Sequence, residues 1–231
     1  MKMNKLYILL LLLPLMILHS CSKDNDVVVP VIKPQASGAM TDVRDGYTYH
    51  WVRYGGLDWT VENSHYNTSD ENCGIYYTNQ VVGEDQGAND ARTVANYGYL
   101  YNLAGAKEAV PDGWRLPTDN DWQKLEQALG MSAQEAAADG WRGSYQGALL
   151  TQGDSGAGMK LLYGGFNDYM SSSFSTHYMW LAAYGYYWTA TTADDEALGY
   201  IRKIQYNSKQ VWRHTTNIHN MLSVRFVRDA Q

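Results

Sequence analysis

The chain has 231 residues, 45% of them hydrophobic and 18% charged, with a formal net charge of −6. A surplus of carboxylates is repelled by nucleic-acid phosphates and anionic lipid headgroups, so neither is expected as a partner. The length suits one domain with a substantial core plus terminal appendages.

Residues 1–20 read as a signal peptide. Lys2 and Lys5 precede an apolar run from Leu6 to Leu18, which as a helix spans about 20 Å, short of the roughly 30 Å of hydrocarbon a membrane span must cross. The segment is therefore expected to be cleaved. Leu18-His19-Ser20-Cys21 resembles bacterial lipoprotein signals, which implies that Cys21 becomes the lipidated first residue and anchors the chain to a membrane. Ser22-Lys23-Asp24-Asn25-Asp26 is similar to the acidic surface-export signals of Bacteroidetes lipoproteins, which implies an outer-membrane protein displayed at the cell surface. Removal of Lys2 and Lys5 takes the formal charge from −6 to −8. With Cys21 lipidated, Cys73 has no partner for a disulfide and is expected as a small buried hydrophobe. Residues 21–41 read as a tether. Pro30 and Pro34 keep its Val-rich stretch out of a sheet centre, and from Val27 to Thr41 it reaches about 50 Å when extended.

Residues 42–231 read as a single globular head. Tyr47–Arg53 alternates as a strand does, and Gly55-Gly56 turns it into a second strand over Gly56–Val61. Residues 64–94 are polar and loop-like. Leu100, Leu103, Ala104 and Ala106 recur at helical spacing within Tyr99–Val110, and Pro111 ends that helix. Thr118 is positioned as an N-cap with Asp121 three residues on; Trp122, Leu125 and Leu129 share one face, and Gly130 closes the helix. Ser132 and Glu135 open an alanine-rich third helix that stops before Gly140. Short strands are expected at Met159–Tyr163, Tyr186–Thr192, Leu198–Tyr206, Gln210–His214 and Leu222–Arg228. Two or three helices in the first half and short antiparallel strands in the second make an α+β order.

Four blocks carry a family resemblance: DGYTYHWVRYGGLDWTVEN (Asp45–Asn63), YGYLYNLAGAKEAVPDGWRLPTDNDWQKLE (Tyr97–Glu126), YYWTATT (Tyr186–Thr192) and SVRFVRD (Ser223–Asp229). In this order they resemble the Fibrobacter succinogenes major paralogous domain family. The Arg115–Trp122 core is also similar to formylglycine-generating enzymes. Both resemblances imply a C-type-lectin-like fold with paired terminal strands, Tyr47–Arg53 beside Leu222–Arg228. Residues Met131–Met179 follow the family loosely, and Met221 stands where a glycine is expected.

Motifs for chemistry are sparse. Gly153-Asp154-Ser155-Gly156 mimics a serine-protease nucleophile loop, but no histidine block accompanies it, and a polar turn is the plainer reading. Cys73 alone cannot supply the paired cysteines or metal thiolates of an oxidase. His214 and His219, five apart, fall on opposite faces of a strand, and Asp194, Asp195 and Glu196 read as an acidic hairpin turn. No catalytic residue, metal or cofactor is expected.

The aromatic content points elsewhere, with 19 Tyr and 8 Trp against 3 Phe. Tyr and Trp suit surfaces that are half apolar and half wet. The densest candidate is RKIQYNSKQVWRHTTNIHN, Arg202–Asn220. If Ile204 and Tyr206 point inward, Lys203 and Gln205 point outward. Arg202, Gln205, Trp212, His214, Asn217 and His219 are the candidate ligand-binding residues. An ordinary solvated hairpin has the same composition. The block resembles the C-terminal variable region of lectin-fold proteins diversified by retroelements, which implies a binding face for an extracellular glycan or protein. The expected function is a surface-exposed lipoprotein serving as a non-enzymatic ligand-binding or adhesion module. A structural or tip subunit of a surface appendage and a degenerate enzyme are the alternatives.

Overall fold

Gly55 and Gly56, with φ of +59° and +77°, adopt a conformation that glycine reaches without a Cβ penalty and that matches the twist of a tight hairpin. They join β2 (Thr48–Tyr54) to β3 (Leu57–Thr60). The computed structural model describes residues 27–68, 71–75, 86–169 and 178–231; the signal segment and Cys21 lie outside the described residues.

The outer edges of this hairpin carry the two ends of the head. Ser37–Thr41, expected to be the last part of the tether, is strand β1 and pairs antiparallel with β2. Upstream, Val29 and Ile32 pack against the core, and the Tyr54 hydroxyl donates to the Ile32 carbonyl at 2.9 Å. Because β1 occupies the free edge of β2, the last strand cannot pair there. β12 (Val227–Asp229) instead pairs with β3, Val227 opposite Trp59. The sheet order is β1-β2-β3-β12. The expected direct pairing of Tyr47–Arg53 with Leu222–Arg228 is thus corrected by one strand.

The middle of the chain holds more regular structure than its sequence pattern suggests. α1 (Gln86–Tyr97) lies in the stretch read as loop, and β4 (Cys73–Gly74) pairs with β5 (Leu100–Tyr101). The next helix starts later than expected, at α2 (Leu103–Glu108), because Asn102 caps it by accepting from the Gly105 amide at 2.8 Å. α3 (Asp119–Ala128) carries the reciprocal Thr118–Asp121 capping box that its sequence announces, and α4 (Ala133–Ala137) is capped by Ser132. β6 (Gly140–Arg142) and α5 (Gln146–Thr151) follow, neither expected. Met159–Tyr163 is not a strand: Lys160 has φ +48°, and the carbonyls of Met159 and Lys160 turn to the Arg225 guanidinium. The strand comes after it, at β7 (Gly164–Asn167).

β8 (Tyr178–Leu181), β9 (Tyr184–Thr192), β10 (Leu198–Gln205) and β11 (Val211–Asn217) complete a second sheet, in the order β6-β11-β10-β9-β7-β8. All its pairings are antiparallel except the single β7–β9 contact at Gly165 and Gly185. The architecture is α+β, with the five α-helices of the described residues ahead of β7.

α3 packs between the two sheets. The Trp122 ring meets Trp59 edge-on at 4.9 Å and lies 6.0 Å from Tyr187, joining helix, first sheet and second sheet in one aromatic stack. Arg225 is the polar counterpart of this core. Fully buried, it donates to Asn63 Oδ1 at 2.7 Å and to the carbonyls of Thr60, Val61, Met159 and Lys160. Those carbonyls belong to the end of β3 and to the Met159–Lys160 loop, where buried backbone acceptors need a donor. Arg225→Met is expected to destabilise the fold by about 3 kcal/mol, since each buried acceptor left bare costs roughly 1–3 kcal/mol. A urea unfolding midpoint close to the unsubstituted protein's would refute this role.

Candidate functional site

On α3, Asp119 and Glu126 stand seven residues apart and face the second sheet together. Arg202 of β10 binds both, with Nη1 2.7 Å from Asp119 Oδ1 and Nε 2.7 Å from Glu126 Oε1. Arg213 of β11 chelates Asp119 at 2.8–3.1 Å, and Arg142 of β6 reaches Glu126 at 3.1 Å. Burial alone would raise the Asp119 carboxyl, but hydrogen bonds and charge from Arg213 and Arg202 prevail and hold it down at about 2. Arg202 is fully buried here. Its expected place on a ligand surface is therefore corrected: it is an internal cation that fastens the sheet to α3.

Side chains alternate along a strand, so the neighbours of Arg202 and Arg213 lie on the other face. Trp141, Trp212, Lys203 and Tyr186 are successive cross-strand partners on β6, β11, β10 and β9, and form one row across the sheet. The Lys203 Nζ sits 2.8 Å from the centroid of the Trp212 ring, 5.1 Å from Trp141, 5.6 Å from Tyr184 and 5.8 Å from Tyr186. These are cation–π distances. Among the described residues no carboxylate stands within ion-pair distance of it. Burial lowers the Lys203 ammonium from 10.5 to about 8.

The rim of the row is accessible. Trp141 is 37% exposed and Trp180, on β8 beside Tyr184 at 5.4 Å, is 52% exposed. Trp180 also holds φ +68°, a strained backbone for a bulky side chain. His214 stacks on Trp212 with centroids 5.8 Å apart, and its Nδ1 meets the Asp139 carboxylate at 3.0 Å. A cavity of about 210 Å³ opens here, lined by Lys203, Trp212, His214, Thr215, Thr216 and Tyr186.

Of the residues expected from sequence, Trp212 and His214 stand together on this face. Gln205 shares it, opposite Tyr184 at the end of β10. Asn217 and His219 are set apart at the far end of β11. Asn217 Oδ1 accepts from the His219 amide at 2.9 Å, a turn-forming bond, and the His219 ring lies against Tyr169 at 4.8 Å. Sequence reasoning missed Trp141, Tyr184 and Tyr186, and did not include Lys203 in the site. The Tyr184-x-Tyr186 and Lys203-x-Gln205 alternations are the available signal; Trp141 has none, because the three-residue β6 is too short to show a strand period.

The remaining motifs have structural roles. The Ser155 hydroxyl donates to the Gln152 carbonyl at 2.8 Å within a 3-10 turn. Cys73 is buried with its thiol toward Asn67 Oδ1. Asp195 accepts from the Ala197 amide in the β9–β10 hairpin turn. A second groove, about 710 Å³ between β1, β2 and the Asp154–Lys160 loop, has His50 bound to Glu62 at 2.8 Å and Lys33 to the Asp154 carbonyl. No group of three or more His, Cys, Asp or Glu able to hold a metal occurs among the described residues.

The arrangement built from β2, α3 and the C-terminal strands corresponds to a known domain family. The model of the Fibrobacter succinogenes major domain matches residues 52–228, and the chain belongs to that family. No curated protein and no solved structure matches it. Among the described residues no helix is long and apolar enough to cross a membrane.

The state of Lys203 can be read from the pH dependence of stability. The unfolded chain keeps this proton up to about 10.5, whereas the folded chain releases it near 8. The folded state is therefore penalised below 8 and relieved between 8 and 10.5. Relative to Lys203→Met, the unsubstituted protein should gain stability as pH rises through that window, with a constant difference below it. Urea unfolding of both at pH 7, 8, 9 and 10 measures this; a flat difference throughout would show the ammonium to be fully hydrated.

Proposed function

We propose that this protein is a non-enzymatic ligand-binding or adhesion module with a C-type-lectin-like scaffold. In this reading lipid on Cys21 anchors it to the outer membrane at the cell surface, and its partner is an extracellular glycan or protein. The observation that carries the proposal is the row of Trp141, Trp212, Tyr184 and Tyr186 around a lysine with no acidic partner among the described residues. Half-exposed rings offer a large apolar area with few rotamers to freeze, and ring-edge donors fix orientation. The strained Trp180 supports it, because it holds a half-exposed ring beside Tyr184 at the rim of the row. The lipoprotein part rests on the signal sequence.

The test is a glycan and protein array probed with the mature chain, followed by titration of each hit. Saturable binding is expected to weaken at least tenfold in Trp212→Ala, where the anchor ring is lost, and more moderately in His214→Ala. Binding that both substitutions leave untouched would place recognition elsewhere on the molecule.

A further inference from the structure

The cations of the second sheet divide into two groups. Arg142, Arg202 and Arg213 face α3 and are neutralised by Asp119 and Glu126. Lys203 faces the other way, 7% exposed, with aromatic rings as its neighbours and no ion-pair partner among the described residues. An ammonium held away from water without a counter-charge is an unfavourable arrangement that a bound anion relieves. Trp212 adds a second unmet demand, since its indole Nε1 is buried without an acceptor. Both residues line the same 210 Å³ cavity, whose other lining residues with polar atoms are Tyr186, His214, Thr215 and Thr216.

We propose, resting on the binding-surface reading above, that the ligand is an acidic sugar. Its carboxylate would meet the Lys203 ammonium, and its ring would lie against Trp212 and the neighbouring aromatic side chains. A sugar fits better than an acidic peptide because the lining pairs flat aromatic ring faces with small hydroxyl-bearing side chains. A point-charge ammonium demands an anion without fixing its geometry. The lowered Lys203 titration agrees, since a carboxylate beside the ammonium restores its proton.

The experiment is titration calorimetry of the mature chain with a glucuronate-containing disaccharide and with sialyl-lactose, each beside its methyl ester, and with lactose and triglutamate. The acids are expected to bind at least tenfold more tightly than their esters. Lys203→Met should remove that preference while leaving the weaker binding of the esters, and Trp212→Ala should abolish binding of both forms. Unfolding curves of the two variants verify that each is folded. Equal binding of acid and ester, or an acid preference that survives Lys203→Met, overturns the carboxylate assignment and leaves the surface reading standing. Triglutamate bound as tightly as the sugar acids overturns the sugar assignment. Binding unchanged in Trp212→Ala, or no binding to any of these probes or to the array, overturns the surface reading with it.

Discussion

The arrangement of the second sheet depends on one internal ion network. Arg202 and Arg213 are direct cross-strand partners, and like charges in that position repel. Asp119, reaching from α3, accepts from both at once. The same helix supplies Glu126 to Arg202 and to Arg142 of the adjoining strand. Three neighbouring strands are thus keyed to one helix face. Buried ion pairs of this kind add little net stability over apolar packing, but the loss of one partner leaves the others uncompensated. Their consequence is positional: with Arg202 and Arg213 turned toward α3, the period of two sends Lys203, Trp212 and His214 to the opposite face. A slip of one residue would bury Trp212 against α3 and expose the arginines.

What the sequence disclosed, and what it hid, follows from the range of the interactions involved. The Thr118–Asp121 capping box, the Gly55-Gly56 hairpin and strands β9, β10 and β11 are set by residues within a few positions of one another, and each stands where its pattern put it. β6 and the shift of β12 to β3 depend on partners about 70 to 170 residues away, such as Trp141 with Trp212 and Arg228 with Asp58, and β1 lies in a stretch whose two prolines mark it as tether. α1 is mostly polar and carries Gly87 in its first turn, and the six-residue α5 has no side-chain cap of the kind that announces α3. The misplacement of Arg202 is different in kind. The alternation that places Ile204 inward also places Arg202 inward, against the composition of the surrounding block. A buried arginine is unexpected only until its carboxylates are known, and these come from a helix more than 70 residues earlier.

The family blocks owe their residue choices to these long-range ties. In RLPTDNDWQKLE, Arg115 binds Asp121, which also caps α3, while Asp119 and Glu126 take the arginines of the sheet. In SVRFVRD, Arg225 ties the loops around Thr60 and Met159, and Arg228 shares Asp58 with Arg53 of β2. Both blocks are therefore read as scaffold. The candidate surface uses residues outside them, on β6, β9, β10 and β11, so one framework can carry different side chains at the row without disturbing the ties behind it.

The N-terminal segment sets where that row stands relative to an anchor. The Lys209 Nζ, in the turn between β10 and β11, donates to the Val27 carbonyl at 3.1 Å. Val27 is therefore held at the end of the sheet where Val211 begins β11. With lipid on Cys21, as proposed, the free reach is the interval from Cys21 to Val27, about 20 Å at full extension, rather than the 50 Å that the longer tether implied. On that proposal the β10–β11 turn would stand nearer the anchor than a free tether of about 50 Å would hold it, because Lys209 fixes Val27 beside it.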